Sequence, residues 1–98
     1  MPETAAFTSR ADVATDNPAR YAKQLGSHLG RRLTVLTEDT ETRIVFDDGE
    51  CRLICGDNVL HLSASASSQE ALERVEHVVG RHLERFGARA ELVVTWVR

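Results

Sequence analysis

The chain has 98 residues, a net charge of −3, 42% hydrophobic and 28% charged residues and two prolines, the profile of one folded domain over residues 1–98. At this length roughly two thirds of the unfolded surface leaves water on folding, so neither a disulfide nor a metal staple is required, and disordered and membrane-spanning classes are excluded. Lysine and arginine are spread without a dense run, which argues against a nucleic-acid partner, and no leader pattern opens the chain, which points to the cytoplasm and away from a membrane.

Phe7, Ser9, Ala11 and Val13 alternate with Thr8, Arg10 and Asp12, and this period of two predicts a first strand from Ala5 to Val13. Asp16-Asn17-Pro18 then places a capping residue before a proline suited to a first helical position. A helix of about four turns follows, with Tyr21, Leu25, His28, Leu29 and the stem of Arg32 as its stripe, closing at Gly30 and the Arg31-Arg32 pair.

Between Leu33 and Ala66, four β-leaning runs are separated by Glu38-Asp39-Thr40, Asp48-Gly49 and Gly56-Asp57-Asn58, which predicts an antiparallel meander. Ile44 with Phe46, Cys51 with Leu53 and Cys55, and Leu60 with Leu62 and Ala64 each share a strand face. Ser67 with Glu70 reads as a capping box opening a long helix, whose stripe is Leu72, Val75, Val78, Val79, His82, Leu83 and Phe86 and whose end is Gly87. Leu92, Val94 and Trp96 alternate with Val93, Thr95 and Val97, a sixth strand apolar on both faces, as a covered or dimer-buried strand would be. The order β-α-β-β-β-β-α-β predicts an α+β fold, a single antiparallel sheet with two helices packed on one face.

The two helices share a pattern, Arg20…Gly26-Ser27-His28 and Arg74…Gly80-Arg81-His82, offset by 54 positions. His28 falls within roughly 20° of Tyr21, and His82 within roughly 20° of Val75, so both histidines are expected to face inward. Two imidazoles in one layer suit a metal, a proton relay or a ligand contact, and equally suit a neutral core histidine with both ring nitrogens engaged. His28 and His82 are therefore the candidate metal ligands, although no His-x₃-His, His-Glu-x₂-His or Cys-x₂-Cys spacing accompanies them. Gln24 is a candidate orienting group, and Tyr21 and Trp96 candidate pocket walls.

Cys51 and Cys55 are about 13 Å apart along one strand, beyond disulfide reach, and read as free thiols of a reducing compartment. Either would need His28 or His82 beside it to act as a nucleophile. The acidic groups at the hairpin turns, Glu38, Asp39, Glu41, Asp47, Asp48 and Glu50, read as solvated surface, and His61 and His77 as incidental. Mid-helix Gly26 and Gly80 each sacrifice roughly 1 kcal/mol relative to alanine, which points to close approach by a neighbouring element.

The run Asp16-Asn17-Pro18-Ala19-Arg20-Tyr21-Ala22-Lys23-Gln24-Leu25-Gly26-Ser27-His28, with His82-Leu83-Glu84-Arg85-Phe86 and Trp96, resembles the bacterial family called domain of unknown function 2218 over nearly the whole chain. Some relatives look like extra domains on siderophore-interacting, flavin-dependent ferric reductases, so the resemblance implies a loose link to iron and siderophore metabolism. No flavin or nicotinamide motif stands in this chain, so the reductase chemistry does not carry over and no cofactor is assigned. The expectation is a small bacterial ligand-binding or accessory domain, taking a small molecule or metal near Tyr21, Gln24, His28, His82 and Trp96. The alternatives are a structural or interaction module that homodimerises through its C-terminal strand, and a hydrolase or isomerase using a Cys-His or His-His pair.

Overall fold

The computed structural model describes residues 7–38 and 40–98, so the expected strand start at Ala5 and the turn residue Asp39 lie outside the described residues. Strand β1 (Phe7–Ala14) leads into helix α1 (Pro18–Leu29). Strands β2 (Thr34–Thr37), β3 (Glu41–Phe46), β4 (Gly49–Gly56) and β5 (Val59–Ala66) follow, then helix α2 (Gln69–Phe86) and a 3₁₀ turn over Ala88–Ala90. The five strands pair antiparallel in the order β1-β5-β4-β3-β2. The α+β architecture is as the sequence predicts, and β2 to β5 form the expected meander. Because β1 and β2 lie at opposite edges of the sheet, α1 must cross it to connect them.

One sheet face supplies the core. Ile44 stands opposite Cys51, and Leu53 opposite Leu62, while Val13 stands opposite Leu60, all fully or almost fully buried beneath Leu25, Val75, Val79 and Leu83. Each such side chain contributes roughly 1.5–3 kcal/mol by leaving water. The other face is charged: Arg52 donates through Nε and Nη2 to the two carboxylate oxygens of Glu41, both at 2.7 Å. That guanidinium, outweighing partial burial, holds the Glu41 carboxyl below the usual carboxylate range. Here too His61 meets Asp12 at 2.8 Å across the β1–β5 pair.

Both mid-helix glycines are explained by close approach. A Cβ at Gly26 would lie 3.3 Å from Val35 Cγ1 and 3.4 Å from Thr42 Cγ2, and one at Gly80 would lie 3.2 Å from the indole nitrogen of Trp96. The α2 cap is Ser68 rather than Ser67: Ser68 Oγ accepts from the Ala71 N–H at 3.1 Å, whereas the Ser67 N–H is spent on the Asp48 carbonyl at 3.0 Å. None of the helices among the described residues is long and apolar enough to cross a membrane.

The sixth strand is not formed. Residues 92–98 touch the sheet at one bridge, where Arg10 and Val97 exchange backbone hydrogen bonds of 2.9 and 2.7 Å. The reason is competition from α2, which holds this tail at several points. Leu92 packs under Gly87, the Val94 N–H donates to Glu84 at 3.0 Å, and Arg98 donates to both carboxylate oxygens of Glu76 at 3.2 and 2.8 Å. The two-sided apolar pattern resolves accordingly: Leu92 is buried, whereas Val93 and Val97 remain 65% and 66% exposed.

Burial pushes the Glu76 carboxyl up, but the hydrogen bonds and the charge of Arg98 outweigh it and hold the group below its ordinary value. A lowered carboxylate stabilises the fold above its unfolded pKa, and that contribution is lost as pH falls through the folded value. Acidification below about pH 4 is therefore expected to loosen the tail. Trp96, the sole tryptophan, reports it by fluorescence. Glu76→Gln should show the loosened signal already at neutral pH; an unchanged signal in both experiments would mean the clamp holds nothing.

Candidate functional site

The helices bury leucines, valines and small residues, not their histidines. In α1 the buried positions are Ala22, Leu25, Gly26 and Leu29, and in α2 they are Ala71, Leu72, Val75, Val79, Gly80 and Leu83. Gly26 lets α1 approach β2 and β3, and Gly80 lets the tail residues Val94 and Trp96 approach α2, so each buried face keeps most of the aliphatic residues of the stripe read in the sequence but is centred away from its histidine. The expectation that both histidines face the interior is corrected here: His28 is exposed and His82 half-buried. They meet instead at the seam between the two helices.

At that seam the His28 and His82 rings lie 5.0 Å apart, and both pack on Phe86, at 5.5 and 6.1 Å between ring centroids. His82 Nδ1 sits 2.7 Å from the Val78 carbonyl oxygen. A carbonyl only accepts, so Nδ1 carries the proton and donates, leaving Nε2 with its lone pair in the neutral ring. Beside the pair opens a cleft of about 610 Å³ with an apolar floor of Leu29, Leu33, Phe46 and Val78, and with Arg31, Arg32 and Arg74 among its walls.

The basic character continues along the seam. Towards the start of α1, a second cleft of about 540 Å³ is lined by Tyr21 and Gln24 together with Arg20, Arg85, Phe86 and Arg89. On the outer side of α2, His77, Arg81 and Arg85 line a third hollow of about 420 Å³ that reaches His82. Seven of the chain's twelve lysine and arginine residues thus border one groove, although the chain as a whole is acidic. No described aspartate or glutamate lines any of the three hollows, although Arg74 meets Asp48 at 3.4 Å and His77 and Arg81 also border a neighbouring hollow with Glu73, Glu76 and Glu84.

Of the five residues singled out from the sequence, the structure brings His28 and His82 together and sets Tyr21 and Gln24 in the adjoining cleft, with Phe86 between. Trp96 lies apart. It covers Gly80 on another side of α2, in a hollow where Glu73, Glu76 and Glu84 stand with His77 and Arg81. The arginines were missed because they are scattered in sequence. The available signal was helical spacing: Arg20, Gln24, His28 and Arg31 form one row, Arg74, Val78, His82 and Arg85 another.

A metal would find two imidazoles here and little else, since no group of three or more His, Cys, Asp or Glu side chains suited to a metal occurs among the described residues. The Cys-His arrangement is likewise not assembled. Both cysteines are free, and burial pushes the Cys51 thiol up to about 12, which leaves it unreactive under the sheet. Cys55 lines a separate hollow of about 440 Å³ with Lys23, Ser27, Glu38 and Glu41, without either histidine of the seam.

Residues 10–97 match the family model described as an uncharacterised protein conserved in bacteria, domain of unknown function 2218. The solved structure of PA4090 from Pseudomonas aeruginosa, determined by NMR, is similar in fold: TM-score 0.79 at 26% identity, covering 93% of this chain and 95% of that one. Among proteins with curated descriptions, none matches.

Proposed function

The chain belongs to this uncharacterised bacterial family, and we propose that its groove binds a small amphipathic organic anion in the cleft beside His28 and His82. The observation that carries the reading is charge segregation: an apolar floor walled by Arg31, Arg32 and Arg74, free of described carboxylates, on a chain of net charge −3. A guanidinium fork offers paired donors to a carboxylate, sulfonate or phosphate, and the floor takes the rest of the molecule out of water. The volume of about 610 Å³ is that of an ordinary small-molecule site.

His82 Nε2 and the exposed His28 ring add contacts for an acceptor or donor on the ligand, which is the role expected of them from the sequence. Tyr21 and Gln24 border the adjoining cleft and serve a longer ligand. An anionic iron chelate belongs to this chemical class, so the link to iron and siderophore metabolism is compatible with the groove; the iron in such a complex would meet only His28 and His82 as protein donors. The two free thiols fit a reducing compartment such as the cytoplasm. Pairing through the C-terminal segment draws support from exposed Val93 and Val97, but one backbone bridge is a poor template for a shared sheet.

Anilinonaphthalene sulfonate, an aromatic anion that fluoresces in apolar sites, is the direct probe, with neutral phenylnaphthylamine as its control. Native protein should bind the sulfonate, and the Arg31→Ala, Arg32→Ala double variant should weaken it about tenfold, or ~1.4 kcal/mol, while leaving the neutral control unchanged. If both dyes bind alike and neither responds to the arginine changes, the cleft is merely apolar and the reading fails.

A further inference from the structure

The small cleft accounts for Arg31, Arg32 and Arg74 but leaves Arg20, Arg81, Arg85 and Arg89 unexplained, all of them exposed. Local helix stability does not explain them all. Arg85 stands in the last turn of α2, where a cation complements the helix dipole, but Arg20 occupies the first turn of α1, which holds no acidic residue and where a cation is disfavoured. His77, Arg81 and Arg85 follow one another at four-residue spacing, so they form a single row along α2. From His77 to Arg85 this row is roughly 12 Å long at helical rise.

We propose that this outer groove is a docking surface for a short acidic peptide segment of a partner protein, held by Arg20, Arg81, Arg85 and Arg89. Two features favour that occupant over a nucleic acid. First, among the described residues five cationic and thirteen acidic ones lie outside the groove, Glu73, Glu76 and Glu84 beside Arg81 among them, so a long polyanion running past its ends would meet like charge. A segment of about four extended residues matches the roughly 12 Å row and stops short of those flanks. Second, Tyr21 and Phe86 are half-buried, and Phe86 is already packed on both histidines, so the groove offers no row of free aromatic faces for base stacking. Guanidinium forks against side-chain carboxylates need neither.

The test is fluorescence anisotropy with labelled hexaglutamate and with an oligothymidylate of equal charge, using the whole chain. Hexaglutamate is expected to bind more tightly than the oligothymidylate, with affinity falling as salt is raised. The double reversal Arg81→Glu, Arg85→Glu should weaken hexaglutamate at least about tenfold. Should that variant fail to fold, Arg20→Glu with Arg89→Glu serves in its place, with the same expectation. Tighter binding of the oligothymidylate, no binding of hexaglutamate, or hexaglutamate binding indifferent to the reversals each overturns the proposal. Anilinonaphthalene sulfonate binding should survive the Arg81 and Arg85 reversals, so the small-anion cleft and the peptide groove fail or stand separately.

Discussion

Leu83→Ala should destabilise the protein by about 3 kcal/mol, whereas His82→Ala, at the adjacent position, should cost no more than ~1 kcal/mol. Leu83 is fully buried in the layer between α2 and the sheet, and its truncation leaves a cavity that close-packed neighbours fill only in part. His82 is half-exposed, so its removal forfeits ring contacts with His28 and Phe86 and one hydrogen bond to Val78, whose carbonyl water then solvates. His28→Ala, at an exposed position, should shift stability by a few tenths of a kcal/mol. Urea unfolding of the three variants reads the comparison, and Leu83→Ala should drop Tm by more than about 10 °C. A His82→Ala cost equal to that of Leu83→Ala would return the histidine to the core and remove it from the groove.

Gly87→Ala is the second large effect expected. A Cβ there would lie 2.9 Å from Leu92 Cβ and closer still to Cγ and Cδ1, far inside contact distance. The backbone at Gly87, φ −98° and ψ 22°, is open to alanine, so the cost is steric and falls on Leu92 rather than on the helix end. Leu92 is 7% exposed and anchors the tail, so its displacement should cost about 2–3 kcal/mol and alter Trp96 fluorescence. Leu92→Ala removes the clashing atoms beyond Cβ. The double variant Gly87→Ala, Leu92→Ala should therefore be less destabilised than the sum of the singles, and strict additivity would show that the two residues do not compete for the same space.

The strands and helices were legible from the sequence because each carries its own period. Alternation along Phe7 to Val13 and the turn chemistry read at Asp48-Gly49 and Gly56-Asp57-Asn58 settle pairing locally, with the first turn closing one residue earlier, at Asp47-Asp48, and Asn58 taking the left-handed φ of 57° that asparagine tolerates. The C-terminal segment was misread because alternation says only that alternate residues differ in environment, not which element provides it. Val94 and Trp96 are covered by α2 and not by a neighbouring strand.

The candidate site was legible in half. Pairing of the two histidines followed from equivalent positions on two helices laid on one sheet, but their direction did not. Apolar stripes weight large residues, whereas close approach of the sheet at Gly26 and of the tail at Gly80 also decides which side of each helix is covered, leaving His28 and His82 outward in the seam. Trp96 joins them by its aromatic chemistry and by its place in the pattern that carries the family resemblance, but the tail delivers it elsewhere.

The sequence by itself determined the α+β class, the meander, both helices, the free thiols and the family resemblance, because those rest on local periodicity, turn chemistry and short motifs. Only the tertiary structure decided where charge accumulates. Arginines from positions 20 to 89 are far apart along the chain and individually ordinary, and they become one basic groove only when α1 and α2 lie side by side, since electrostatic potential sums over distance in space and takes no account of separation in sequence.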